Sequence, residues 1–171
     1  SKAKQEGIPM AIYMNFNNKA TKGNVTAKGY EDWIEVDSFN FGVGRGITME
    51  AGATSNREAS RPSLSEVSFT KRIDAASGGL FKSSVTGDEG VPVEIHVVQT
   101  GANSVEKYAV YKLTDVIISS YSIGASAGGA PQESVSLSFA KIEAELDHAD
   151  KTNKNPKNMK VGYDLTTATP L

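Results

Sequence analysis

The 171-residue chain has no cysteine. Disulfides, thiolate metal sites and cysteine nucleophiles are therefore excluded, and folding needs no oxidising compartment. Histidine is nearly absent, with His96 and His148 its two representatives. No stretch approaches the ~20 apolar residues that a membrane helix needs. Charge of one sign is not in excess either: 18 Lys and Arg stand against 20 Asp and Glu, a formal net charge of −2. That balance gives no electrostatic reason to expect nucleic acid or an anionic membrane as partner, and no membrane insertion is expected. The N-terminal SKAKQEGIP lacks the apolar core of a secretory signal. Residues 1–9 read either as a remnant added by cloning, with Met10 as the natural start, or as a flexible arm.

What is present is a period of two, which argues for strands. Ile12, Met14 and Phe16 alternate with polar neighbours, as do Val67 and Phe69, and Val93, Ile95 and Val97. Tyr108–Ile118 reads as one long strand, Ser134–Leu146 as another, and Val161, Tyr163 and Leu165 as a short last one. His148–Lys160 reads as a polar excursion before it. Two strands change phase. Ile34 and Val36 fall on one parity, Phe39 and Phe41 on the other, so a bulge is expected near Asp37 or Ser38. The same argument places a bulge near Ala140 or Lys141. Bulges bend strands, as barrel closure requires. One short helix is expected between Asp74 and Gly87, capped by Asp74 or Ser77, with Leu80, Phe81 and Val85 as its apolar face. The reading is a single domain over 10–171, mainly β, a closed or nearly closed antiparallel β-barrel with one short α-helix and a long extended loop.

Catalytic motifs are weak. Gly124-Ala-Ser126-Ala-Gly128 matches G-x-S-x-G, but a nucleophile elbow needs a helix after the serine, and here a Gly-Gly-Ala-Pro turn and a strand follow. Gly42-Val-Gly44-Arg-Gly46 lacks the third glycine and the helix of a dinucleotide fingerprint. Asp147, His148 and Asp150 read as a solvated charge cluster rather than a metal site, and Asn24-Val-Thr26 as a loop. No cofactor and no enzymatic activity are expected. A well-patterned β domain without a credible site points to assembly or ligand containment.

MAIYMNF, WIEVDSFNFGVGRG, SNREASRPSLSEVSFTKRIDAASGGLF, YKLTDVIISSYS and GGAPQESVSLSFAKIEAE occur in this order between Met10 and Glu145. With their spacing, these segments resemble the haemolysin-coregulated proteins (Hcp) of bacterial type VI secretion. The likeness extends over nearly all of Met10–Leu165 and is weakest after His148. It implies a homo-hexameric ring with a wide channel, ring stacking into an inner tube, and spike, sheath and small effector proteins as partners. It also implies a bacterial cytoplasmic origin and exit through the type VI machine without a cleaved signal peptide. The loop Gly42–Pro62 would reach a neighbouring subunit or ring, and Arg45, Arg57, Glu58 and Arg61 are long charged groups suited to such contacts.

Alternation in Ser38-Phe39-Asn40-Phe41 would turn both phenylalanines into the core and Ser38 and Asn40 towards a channel and its cargo. Ser134, Ser136 and Ser138 form a similar stripe. An ordinary solvated sheet face explains both stripes equally well. Two other functions remain open: a phage-type tail tube protein, and a monomeric ligand-binding β-barrel.

Overall fold

The computed structural model describes residues 9–46, 61–87, 89–100, 105–149 and 156–171. The first strands are β1 (Met10–Phe16), β2 (Ile34–Val36), β3 (Ser38–Asn40), β4 (Val43–Gly44), β5 (Ser63–Leu64) and β6 (Val67–Arg72). Helix α1 (Ser77–Thr86) follows, then β7 (Val91–Thr100) and β8 (Val105–Gly124). The chain continues through β9 (Gln132–Ser138), β10 (Lys141–Ala149), β11 (Pro156–Asp164) and β12 (Thr169–Pro170). The fold is mainly β with one short helix, as the alternation predicts.

Ten strands join one antiparallel sheet, while β4 and β5 pair separately at the root of the 47–60 segment. The main path runs β12-β11-β10-β8-β7-β1-β2. A branch leaves β8 through β9 and β6 to β3. The 20-residue β8 is the junction. Its first half pairs β7 and β10; its second half pairs β9.

Neither site carries the expected bulge: the strands end there instead, and the chain changes partners. At Asp37 the chain passes from β2, on β1, to β3, on β6, and the Asp37 N–H donates to Thr70 O at 2.8 Å. At Phe139–Ala140 the expected Ser134–Leu146 strand divides into β9 and β10. Both halves stay on β8, where Ser138 faces Ile117 and Lys141 faces Thr114. The break changes the outer neighbour from β6 to β11.

Met14, Ile34, Val67, Phe69, Leu80, Ile95, Leu113 and Leu137 are fully buried in the main core. Each such side chain contributes about 1.5–3 kcal/mol. A second core lies on the other face of β1 and β7, where Tyr13, Val25, Tyr30, Trp33 and Val98 pack together. The alternation of β1 gives only one of these faces. The 17–33 segment folds back and covers the other.

Four further expectations are corrected. Val97 is half-buried and Val98 is buried, because the β7–β8 register shifts between them. The last strand is longer than expected, since cross-strand partners on β10 stabilise the polar residues Asn158 and Lys160. Neither Asp74 nor Ser77 is the N-cap; Ala76 holds that position without a side-chain bond. Phe81 and Val85 do not face the core: they are 55% and 67% exposed, and Leu80 alone of the three is buried. The expected helix end at Gly87 is found, with φ +62°.

Candidate assembly face

Strands β3, β6, β9 and the second half of β8 lie side by side and place three rows of residues in register. The middle row is Phe39, Phe69, Val135 and Tyr121. It faces inwards; Phe69 and Val135 are buried, and the rings of Phe39 and Tyr111 sit 4.9 Å apart. The flanking rows point the other way, because strand side chains alternate. One is Ser38, Thr70, Ser134 and Ser122; the other is Asn40, Ser68, Ser136 and Ser120.

These eight residues form a sheet face of short, uncharged donors and acceptors. Ser38 and Asn40 are exposed on it, as are Ser134 and Ser122. The Ser38 and Thr70 hydroxyls hydrogen-bond across the strand pair, and Ser122 Oγ donates to Ser134 O at 3.4 Å. Charge enters only at the margins. Ser119 Oγ donates to Glu66 Oε2 at 2.6 Å. Asp37 Oδ2 accepts from Gln132 Nε2 at 3.4 Å and lies 4.0 Å from Arg72 Nε.

Beneath this face is a charged junction. Lys71 and Glu133 are both 0% exposed. Lys71 Nζ lies 2.9 Å from Glu133 Oε1 and 2.9 Å from Asp74 Oδ1, and donates to Arg72 O at 2.8 Å. Ser77, the first residue of α1, donates its hydroxyl to Glu133 Oε1. Tyr121 OH donates to Glu133 Oε2 at 2.7 Å. Burial pushes the Glu133 carboxyl up, but the bonds from Ser77, Tyr121 and Lys71, with the Lys71 charge, outweigh it and hold the carboxyl below its usual range. Burial and the bond to Glu133 push the Tyr121 hydroxyl up to about 12. The junction pins α1 and β8 to the assembly sheet. Sequence reading missed it, although its signal was there: Lys71 shares the parity of Val67 and Phe69, and Glu133 that of Val135 and Leu137.

A second missed cluster surrounds His96. Tyr30 OH lies 3.0 Å from His96 Nδ1, and the Trp33 ring stands edge-on at 4.7 Å. His96 Nε2 lies 3.6 Å from Glu94 Oε1. Burial pushes the imidazole down; Glu94 opposes this, and Lys107 and Lys112 add to it. His96 thus sits in an aromatic cluster on the far side of β7 from the main core. Ser126 lies instead in the exposed turn between β8 and β9, where Gly128 has φ +85° and a strand follows.

Of the proposed contact residues, Arg45 and Arg61 are exposed on either side of the β4–β5 pair. Arg57 and Glu58 lie outside the described residues. No group of metal-ligating side chains occurs among the described residues, and no helix among them is long and apolar enough to cross a membrane.

A family profile described as "Type VI secretion system effector, Hcp" matches residues 13–146, well over half of the chain. The chain belongs to the Hcp family. Protein hcp1 of Pseudomonas aeruginosa is 28% identical to this Hcp-family chain over 83 residues, which cover 48% of this chain and 51% of that protein. The chain thus spans about half the length of this curated relative. Among solved structures, one described as a type six secretion system protein aligns with a TM-score of 0.86 at 26% identity, covering 95% of this chain and 100% of that one. Hcp1 from Salmonella typhimurium aligns with a TM-score of 0.74 at 25% identity, covering 95% and 99%. The resemblance to Hcp tube proteins drawn from the sequence is borne out.

Proposed function

We propose that this Hcp-family chain is a subunit of the type VI inner tube, assembled as hexameric rings whose channel wall is the hydroxyl-rich face of β3, β6, β9 and β8. The observation that carries the reading is that face. It is one side of a four-stranded sheet whose outer edges, at Ser38–Asn40 and Ser119–Gly124, have no strand partner among the described residues. Two different open edges suit a head-to-tail contact, which closes into a ring when the rotation allows.

A nearly closed barrel is part of the same proposal. Strands β1, β2–β3, β6, β9, β8 and β7 form a cycle of neighbours, with corners at Asp37 and at Val116–Ile117. The rings would stack, with Gly42–Pro62 and its Arg45, Arg57, Glu58 and Arg61 reaching a neighbour. Small effector proteins would pass along the wall through weak, water-mediated contacts with Ser38 and Asn40, which favour release. Spike and sheath proteins would be the further partners, and the assembled tube would leave the bacterial cytoplasm through the machine itself. Six chains carry 6 × −2 = −12 formal charges, which suits protein cargo better than nucleic acid.

The competing monomeric ligand-binding barrel has less support, because Met14, Phe69, Leu80 and Leu137 fill the interior. Native mass spectrometry decides between them. The ring gives a species of 6 × 18.1 = 108.6 kDa. A lone 18.1 kDa species at tens of micromolar removes the proposal.

A further inference from the structure

We propose that residues 17–33 form a strap over the face of β1 and β7 that lies away from the main core, and that proton uptake at His96 releases this strap while the main core stays closed. The device belongs to the single chain and does not depend on ring assembly.

The strap is bonded mostly to itself. Gly23 N–H donates to Asp32 O at 2.9 Å, Val25 N–H to Trp33 O at 3.1 Å, Tyr30 N–H to Ala27 O at 2.9 Å and Asp32 N–H to Val25 O at 3.0 Å. Among the described residues, the one hydrogen bond from 22–32 to β1 or β7 joins Tyr30 OH and His96 Nδ1, at 3.0 Å. Away from those strands, Asn24 Oδ1 accepts from Ala75 N–H at 3.3 Å. Both ends of the strap hold non-glycine residues in the left-handed region: Asn17, Asn18 and Lys19 at φ +53°, +51° and +65°, and Asp32 at +67°. Such residues turn the chain sharply and store strain, so they mark the hinges. Met14 and Ile95 bury on the opposite face from Tyr13 and His96, so the main core does not need the strap.

His96 is the catch beneath it, 6% exposed against the Tyr30 and Trp33 rings. Its Nε2 lies 3.6 Å from Glu94 Oε1, too far for a hydrogen bond. Nε2 and the Trp33 Nε1 are buried without a hydrogen-bond partner among the described residues. The Glu94 carboxylate keeps the imidazole hydrogen on Nε2, which leaves Nδ1 to accept from Tyr30 OH. Once the imidazole is protonated, both nitrogens are donors, and the Tyr30 hydroxyl loses its acceptor.

Charged and titratable groups surround the catch on every side. Opposite His96 on β1 stands Tyr13, near Glu35 of β2. Opposite it on β8 stands Val110, with Lys107 and Lys112 on the same strand and Glu145 of β10 beyond. The strap adds Tyr30 and the exposed Lys22–Asp32 pair. Burial disfavours the charged imidazole most; Glu94 opposes this, and Lys107 and Lys112 add to it. Glu94 is itself shared with Lys112, at 3.9 Å. Opening the strap lifts the burial, so the open form takes the proton more readily. Between the usual imidazole value of 6.5 and the lower folded one, each pH unit of acidification multiplies the open-to-closed ratio by about ten. Acid thus bares Tyr13 and Val98 on one face and leaves the sheet of β3, β6 and β9 as it was.

The absence of cysteine lets one thiol be placed at a time. Val25→Cys puts it under the strap, and Val67→Cys puts it in the main core. The rate of labelling by methyl methanethiosulfonate, divided by that of the same chain unfolded in urea at the same pH, reads how often each site opens. From pH 7.5 to pH 5.5 the Val25→Cys ratio should rise about three- to tenfold, and the Val67→Cys ratio should stay level. Adding His96→Phe should flatten the Val25→Cys response. Adding Tyr30→Phe should speed its labelling at pH 7.5 about threefold or more. A flat response in the Val25→Cys chain overturns the proposal, as does one that survives His96→Phe or unchanged labelling in Tyr30→Phe. An equal rise at Val67→Cys also overturns it, since the whole chain is then opening. If His96→Phe does not fold, NMR titration of the His96 imidazole in the unaltered chain decides: a midpoint below 6.5 supports the catch, and one at or above 6.5 overturns it.

Discussion

Lys71 Nζ and Glu133 Oε1 meet at 2.9 Å, both side chains wholly buried where α1 rests on β6 and β9. Removing Lys71 leaves the buried Glu133 carboxylate without its counter-ion, which costs about 3–5 kcal/mol, whereas removing Glu133 leaves Lys71 still paired with Asp74 at 2.9 Å. Lys71→Met should lower stability by that order in urea titrations, and Glu133→Gln by less. The double variant should recover part of the loss. Additive losses in the double-mutant cycle would show that the pair is not coupled.

The same carboxylate sets an acid limit. Its folded pKa lies below the usual carboxyl value of 4.5, so the ionised form is the stabilised one. Its contribution is present above that unfolded value and is lost as pH falls through the lower folded one. Melting temperature followed from pH 6 to pH 3 should drop, and the drop should be shallower in Glu133→Gln.

His96 acts at a higher pH. Burial depresses its folded pKa below the usual imidazole value of 6.5, so the folded state favours the neutral ring. Between those two values the unfolded chain binds the extra proton, and stability declines as pH falls below 6.5. The protection factors of amides in residues 23–33, which pack over this ring, should fall between pH 7.5 and pH 5.5. His96→Phe should remove that pH dependence.

Gly23 tests the second core. A Cβ there would stand 2.3 Å from Trp33 O and 2.6 Å from Ile34 Cα, both backbone atoms. Gly23→Ala should cost about 1–3 kcal/mol through forced backbone shifts. Trp33 is the single tryptophan, so its fluorescence reports this cluster directly; an unchanged spectrum and melting temperature would contradict the packing.

Asn40→Arg probes the proposed channel wall. Asn40 is exposed on a solvated sheet face, so the change should alter monomer stability by no more than about 0.5 kcal/mol. Six added cations should leave ring assembly intact and reduce effector export in a secretion assay. Export at the original level would detach Asn40 from cargo passage. Ser126→Ala, in the exposed turn, should change neither.

Much of this architecture was legible because alternation on β1, β6 and β9 marks a single buried face, and the phase changes at Asp37 and Phe139–Ala140 mark where strands exchange partners. Ser38 and Asn40 were legible as exposed for the same reason. Other features depend on partners distant in sequence. Val98 replaces Val97 in burial through a register shift that only pairing with β8 defines. Tyr30 and Trp33 are buried because the 17–33 segment returns over β7, which no local period signals. Lys71 and Glu133 lie on apolar parity, but pattern reading counts a charge there as an interruption, whereas each is the other's counter-ion. Phe81 and Val85 have helical spacing with Leu80, yet α1 buries only one narrow side.

The 20-residue β8 also has a mechanical meaning. It passes unbroken from the β7–β10 neighbourhood into the assembly sheet, with laddered partners along its length. A pull along either half loads that half's hydrogen bonds in parallel, as shear, rather than opening them one after another like a zipper, and the corner near Asp115, at φ +53°, joins the two halves. A load applied at one end is thereby shared with β7, β9 and β10, so the strand ties the two sheet regions of the subunit together.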